Sequence, residues 1–131
     1  MFKHGAGANQ VIHVFGFRGS RDPSKRKAMM DKSAKVSDYY ILTLDDLNNS
    51  TMSEMEETLN EFHQNYGKGE VIYDRTKAIE RAIEFAEDGD WVVITGKGHE
   101  SYKEEFELGT SNDLETVKLL RDRVREVSRT S

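Results

Sequence analysis

Val11-Ile12-His13-Val14-Phe15-Gly16-Phe17 is a run of β-branched and aromatic residues, closed by glycines at 16 and 19. An apolar run without polar alternation reads as a strand buried on both faces. Outward from it, the polar loop Arg18 to Ser24 carries Pro23 where a first helical turn tolerates proline. Lys25 to Val36 then reads as a helix, with Ala28, Met29, Lys32, Ser33 and Val36 at helical spacing. The alternation continues. Tyr39 to Leu44 is a second apolar strand, followed by Asp45-Asp46-Leu47-Asn48-Asn49-Ser50. Thr51 and Glu54 form a capping box that starts a helix facing inward with Met52, Met55, Leu59 and Phe62. Gly67 ends it. Val71 to Tyr73 is a short third strand, and Asp74 or Thr76 caps a helix whose inner face is Ala78, Ile79, Ala82, Ile83 and Ala86. Trp91 to Thr95 is the fourth and most apolar strand. Asn112 with Glu115 caps a last helix, with Leu114, Val117, Leu120, Val124 and Val127 facing inward. Tyr102 to Gly109 leaves room for one antiparallel edge strand. The order β-α-β-α-β-α-β-loop-α predicts an α/β domain: a Rossmann-like, doubly wound, mostly parallel sheet flanked by helices.

The bulk properties agree. A chain of 131 residues fits one domain. Charged residues make up 33% and hydrophobic residues 36%, but the apolar ones come in blocks, which argues against disorder. A net charge of -5 lacks the basic face that nucleic acid requires. No cysteine means no disulfide and no thiolate metal site. No run approaches membrane-spanning length and no signal peptide begins at Met1, so the chain is expected in the cytoplasm and away from membranes. Residues 1–9 read as a flexible leader or the scar of an artificial boundary, and 10–131 as the domain proper.

In an open parallel sheet, ligands bind beyond the carboxyl ends of the strands. Three loops leave strands there. Arg18 to Asp22 is neither a dinucleotide fingerprint nor a phosphate-binding loop. Its Arg21 offers a planar fork for a carboxylate or phosphate, or else pairs with a surface acid. Asp45 and Asp46 are suited to an ammonium group or a metal, or else cap the next helix. Gly96-Lys97-Gly98-His99-Glu100 carries the most information. Its glycines permit tight turning and close approach to a ligand, and Lys97, His99 and Glu100 put a donor, a switchable group and an acceptor within five residues. His13 reads as a satisfied core residue, His63 as a helix-surface residue, and His4 belongs to the leader. No metal-ligand set or Ser-His-Asp arrangement emerges.

Four tracts together resemble one family. They are V-F-G-F-R-G-S-R-D-P-S-K-R-K-A-M (Val14 to Met29), T-L-D-D-L-N (Thr43 to Asn48), D-R-T-K-A-I (Asp74 to Ile79) and G-D-W-V-V-I-T-G-K-G-H-E-S-Y (Gly89 to Tyr102). They are similar to the C-terminal domain of Mur ligases, nearest the tripeptide-synthetase branch that adds the third amino acid of the peptidoglycan stem peptide. The resemblance implies that the intact enzyme uses ATP and Mg2+, bound mainly outside this chain. ATP phosphorylates the γ-carboxylate of D-glutamate on UDP-MurNAc-L-Ala-D-Glu, and the incoming amine attacks the acyl phosphate. It implies that Arg21, Asp45, Asp46, Asn48, Gly96 and Glu100 bind the amino acid, supported by Lys97, Gly98 and His99. It also implies that the central ATPase domain of the same enzyme is a partner.

The resemblance is not complete. Diaminopimelate-adding members carry D-N-P-R where this chain has Asp45-Asp46-Leu47-Asn48. Losing that arginine leans towards L-lysine or another diamino acid, whereas G-K-G-H-E leans towards meso-diaminopimelate; lysine is placed slightly ahead, because loop residues facing the ligand should decide selectivity. The D-Y-A-H-x-P tract of the family's first strand and helix is not found, nor is the glycine-rich ATP loop. No catalytic residue is therefore assigned within this chain, which alone should not ligate. An edge left open by the missing strand offers a surface through which two chains could pair. Two other readings stand beside this one. The first is a non-catalytic relative binding an amino acid or nucleotide for regulation. The second is a Mur-type ligase for another substrate, such as a glutamate-chain or cyanophycin-type synthetase.

Overall fold

The computed structural model describes residues 10–19, 24–48, 50–96, 100–103 and 105–130, with side chains of the last helix described as far as Asp122. Eight elements follow in the predicted order: β1 (Val11–Phe15), α1 (Ser24–Val36), β2 (Tyr39–Leu42), α2 (Met52–Tyr66), β3 (Gly69–Val71), α3 (Arg75–Phe85), β4 (Trp91–Ile94) and α4 (Asp113–Thr130). All strand pairs are parallel, in the order β3-β2-β1-β4. The sheet is covered from both sides. Met30 of α1 and Met55 and Leu59 of α2 pack on Phe15, Tyr40 and Leu42. On the other face, Ala78, Ile79 and Ala82 of α3 and Leu120 of α4 pack on Ile12, Val14 and Ile41.

Local chemistry sets the helix starts. Thr51 accepts from the Glu54 amide at 3.1 Å while Glu54 accepts from the Thr51 amide at 3.2 Å, the reciprocal capping box. Asp74 caps α3 by accepting from the Lys77 amide at 3.0 Å. Asn112 accepts from the Glu115 amide at 2.8 Å at the start of α4. β3 begins and ends two residues before the predicted stretch. The ladder continues there without regular strand geometry, through Ile72 N–H to the Leu42 carbonyl (2.9 Å) and Leu44 N–H to the Tyr73 carbonyl (3.3 Å).

Four expectations are corrected. β4 is an edge strand, so its apolar residues are not all buried: Trp91 is 59% exposed and Val93 38%. Apolar content records what a strand can bury, not how many neighbours it acquires. α1 buries Met30 and Ser33, leaving Ala28, Met29 and Val36 outside. Among the described residues of 102–109 there is no edge strand. Their amides are taken otherwise: Glu107 by the Asp74 carboxylate, Leu108 by the Thr76 hydroxyl, and Gly109 by the Phe106 carbonyl. Met52 and Leu114, predicted inward, are also exposed.

Candidate functional site

The loops after β1, β2 and β4 leave the same end of the sheet. The first two are locked backbone to backbone. Gly19 N–H donates to the Asp46 carbonyl at 2.8 Å, and the Asn48 side-chain amide donates to the Gly19 carbonyl at 2.6 Å. A Cβ at Gly19 would lie 1.9 Å from the Leu47 carbonyl oxygen, so only glycine permits this approach. Asn48 sits in left-handed backbone at φ 52°, which asparagine tolerates better than most residues.

Arg18 bridges the second and third loops. Its Nη2 donates to Glu100 Oε2 at 2.7 Å, and its Nε lies 3.8 Å from Asp45 Oδ1. Asp45 is buried, and its Oδ1 accepts from the Asp46 amide at 2.7 Å. Asp46 is buried as well, with Lys103 Nζ at 3.8 Å from Oδ2. Beside this group lies a cavity of about 280 Å³, whose walls include Gly16, Arg18, Lys25, Arg26, Asp45 and Gly96. This is the lower end of the size for a small-molecule site. Arg26 stands over the Phe17 ring at 5.9 Å, and its Nε is buried without a hydrogen-bond partner among the described residues.

Behind the loops, Arg75 is fully buried. Nε and Nη2 donate to the two carboxylate oxygens of Asp113 at 2.7 and 2.8 Å. Nη1 donates to the Leu44 carbonyl and Nη2 to the Thr95 carbonyl, both at 3.0 Å. Burial opposes the guanidinium charge, but the hydrogen bonds and charge of Asp113, with Asp45 adding, raise its proton affinity above the ordinary value. Tyr102 donates to Asp113 at 2.7 Å, and burial first, then Asp113, pushes its phenol well above the usual range.

The predicted residues separate accordingly. Asp45 and Gly96 wall the cavity; Asp46, Asn48 and Glu100 do not, though Glu100 holds Arg18 at its edge. Asn48 braces the loops. Arg21, Lys97, Gly98 and His99 lie outside the described residues, as does His4. Arg18, Lys25, Arg26 and Arg75 were not singled out from sequence. Arg18 and Arg26 flank the chosen Arg21 so closely that spacing alone does not separate them. His13 is satisfied on both nitrogens, by Ser33 and Thr95 at 2.8 Å each, and burial lowers its pKa to about 4. It lies in a larger groove of about 460 Å³ between α1 and the face of β1 and β4, which meets the loop cavity at Met29 and Thr95. His63 is half-buried against the Tyr40 hydroxyl at 3.1 Å. Among the described residues no group of three His, Asp or Glu is placed to hold a metal ion, and no helix is long and apolar enough to cross a membrane.

An open parallel sheet flanked by helices, with charged loops gathered at its carboxyl end, defines an α/β domain of the doubly wound class, in which ligands bind at that end. Residues 2–98 match the family model described as Mur ligase, glutamate ligase domain, and the chain belongs to that family. It is 40% identical over 95 residues to a UDP-N-acetylmuramoyl-L-alanyl-D-glutamate--2,6-diaminopimelate ligase of Aquifex aeolicus, covering 72% of this chain and 20% of that protein. The ligase of the same name from Cytophaga hutchinsonii is 37% identical over 102 residues, covering 75% and 21%. A solved structure of a ligase of that name superposes with a TM-score of 0.70 at 31% identity, over 92% of this chain and 25% of the other. The chain thus spans about a fifth of the length of the curated relatives it matches.

Proposed function

We propose that this chain, over residues 10–131, is the amino-acid-binding domain of a cytoplasmic, ATP-dependent ligase. That enzyme joins a diamino acid to UDP-MurNAc-L-Ala-D-Glu in peptidoglycan synthesis. The observation that carries the reading is the meeting of three strand-exit loops around one small cavity bearing both Arg18 and Asp45. A zwitterionic amino acid needs a guanidinium for its carboxylate and a carboxylate for its ammonium. The Arg18–Glu100 pair is partly exposed and therefore weak. A ligand that brings its own carboxylate and ammonium can take over both partners at little cost. The binding residues are Arg18, Arg21, Asp45, Gly96 and Glu100. Asp46 and Asn48 shape the second loop, and Lys97, Gly98 and His99 continue the third.

The chemistry belongs to the intact enzyme. ATP phosphorylates the γ-carboxylate of D-glutamate, and the amine of the bound amino acid displaces phosphate to form the amide. ATP and Mg2+ bind chiefly in the central ATPase domain, the partner of this one; the residues described here form no metal site. The relatives named above take 2,6-diaminopimelate. Arg18, Lys25 and Arg26 favour the same substrate here over lysine, because they offer a second carboxylate the partner that the Asp45-to-Asn48 loop lacks. Two chains pairing along the outer edge of β4 would complete that strand, and sedimentation as a monomer would remove this part of the reading.

The test is steady-state kinetics of the intact ligase with diaminopimelate and lysine. Arg18→Met and Glu100→Gln should each raise the amino-acid KM about tenfold while leaving the ATP KM alone, the loss of one charge-assisted contact. Unchanged amino-acid KM in both variants would sink the proposal.

A further inference from the structure

We infer that Arg75 is the positioning residue of this site: it sets the separation of the second and third loops without touching the ligand. The inference rests on the amino-acid-binding reading above. Leu44 and Thr95, whose carbonyls Arg75 holds at 3.0 Å, each immediately precede a cavity residue, Asp45 and Gly96. They follow β2 and β4, which are not neighbours, because β1 lies between them. No ladder hydrogen bond therefore fixes one exit relative to the other. Arg75 does so directly, one planar group spanning both. Its Nη2 also stands 3.3 Å from where a Cβ on Gly96 would be, so Arg75 backs Gly96 directly. Arg75 is not among the residues lining the cavity.

Stability alone does not call for this arrangement. A buried ion pair is commonly matched or bettered by apolar residues of similar volume. What an apolar replacement cannot supply is a rigid fork whose remaining N–H groups reach two carbonyls at once. Asp113 neutralises and orients the fork, from 38 residues away in sequence. Tyr102, donating to Asp113, ties the segment after Glu100 to the same anchor.

The experiment uses the intact ligase carrying three changes. Arg75→Met/Asp113→Leu removes the fork and leaves no orphaned charge. Arg75→Lys keeps the charge and loses the planar geometry. Ile83→Ala thins the packing of α3 on the sheet two turns beyond Arg75, without touching it or its partners. Amino-acid KM, ATP KM, kcat and melting temperature are measured for each. The double variant and Arg75→Lys should raise amino-acid KM roughly ten- to a hundredfold, the scale of a misplacement near 1 Å, with ATP KM within about twofold. Ile83→Ala should lower the melting temperature without moving amino-acid KM. A lowered melting temperature and kcat with wild-type amino-acid KM in both Arg75 variants would make Arg75 merely structural and overturn the inference. If the double variant does not fold, Arg75→Lys decides. If Arg18→Met and Glu100→Gln also leave amino-acid KM unchanged, the amino-acid site itself is wrong and both statements fall. If those two raise it and the Arg75 variants do not, the positioning role alone fails.

Discussion

Replacing Gly96 with alanine tests the convergence of the loops at a single atom. Gly96 has φ +120°, where an L-residue is strained. The added Cβ would lie 2.9 Å from Asp45 Oδ2 and 3.3 Å from Arg75 Nη2. Neither neighbour yields easily: Asp45 is buried and accepts from the Asp46 amide, and Arg75 makes four hydrogen bonds. Gly109 provides the internal standard. It too has positive φ, +70°, but nothing lies within 4 Å of its would-be Cβ. Gly109→Ala should therefore cost only the backbone term, about 1 kcal/mol. Gly96→Ala carries a backbone term plus displacement of two anchored groups, about 3 kcal/mol in all. For a domain of this length, unfolding entropy converts 1 kcal/mol into about 4 °C. Thermal unfolding followed by circular dichroism should show Gly96→Ala melting about 8 °C below Gly109→Ala. In the intact ligase only Gly96→Ala should raise amino-acid KM. Equal melting shifts for the two glycines would mean that Gly96 does not abut Asp45 and Arg75, and the loop arrangement would be refuted.

Thr51→Ala should lose about 1 kcal/mol in urea unfolding. Adding Glu54→Ala should cost less than its separate effect, because the two share one capping box; strict additivity would disprove the reciprocal cap. Leu59→Ala, at a fully buried position, should cost about 3 kcal/mol by the same assay, and a loss under about 1 kcal/mol would contradict its place in the core. His13, lowered from 6.5 to about 4 by burial, is neutral in the fold while the unfolded chain protonates first. Its contribution is complete above pH 6.5 and is lost as pH falls towards 4, with a slope below about 1.4 kcal/mol per pH unit. Substituting His13 with glutamine should flatten the urea midpoint across that window. An unchanged slope would assign the pH dependence to other groups.

Much of the fold was legible because it is written locally. Thr51 with Glu54, Asp74, and Asn112 with Glu115 each announce a helix start within four residues. The run from Val11 to Phe15 announces a central strand. What needed tertiary context was not legible. In α1, Met29 and Met30 are adjacent and chemically identical, so periodicity could not decide which one Phe15 and Phe17 would cover. Trp91 to Ile94 looked like the best-buried strand, yet strand order leaves it with one neighbour. At the site, Asp45, Gly96 and Glu100 stood out because they follow apolar strands directly. Arg18 was overshadowed by Arg21, and Arg75 looked like an ordinary first-turn residue of α3. Its role appears only with Asp113 and two carbonyls brought together by folding.

β4 is paired on one side only, to β1, and two of its four side chains face solvent. Segments with few buried contacts open locally at lower free energy than the whole domain. Amides of β4 should thus exchange with solvent by a peeling motion that leaves β1, β2 and β3 intact. Such an event would release Thr95 and Gly96 from Arg75, while the first two loops stay clamped together. The site would then alternate between a whole and a half without the protein unfolding. A ligand spanning all three loops binds only the whole form, and so would slow exchange at β4 more than anywhere else in the sheet.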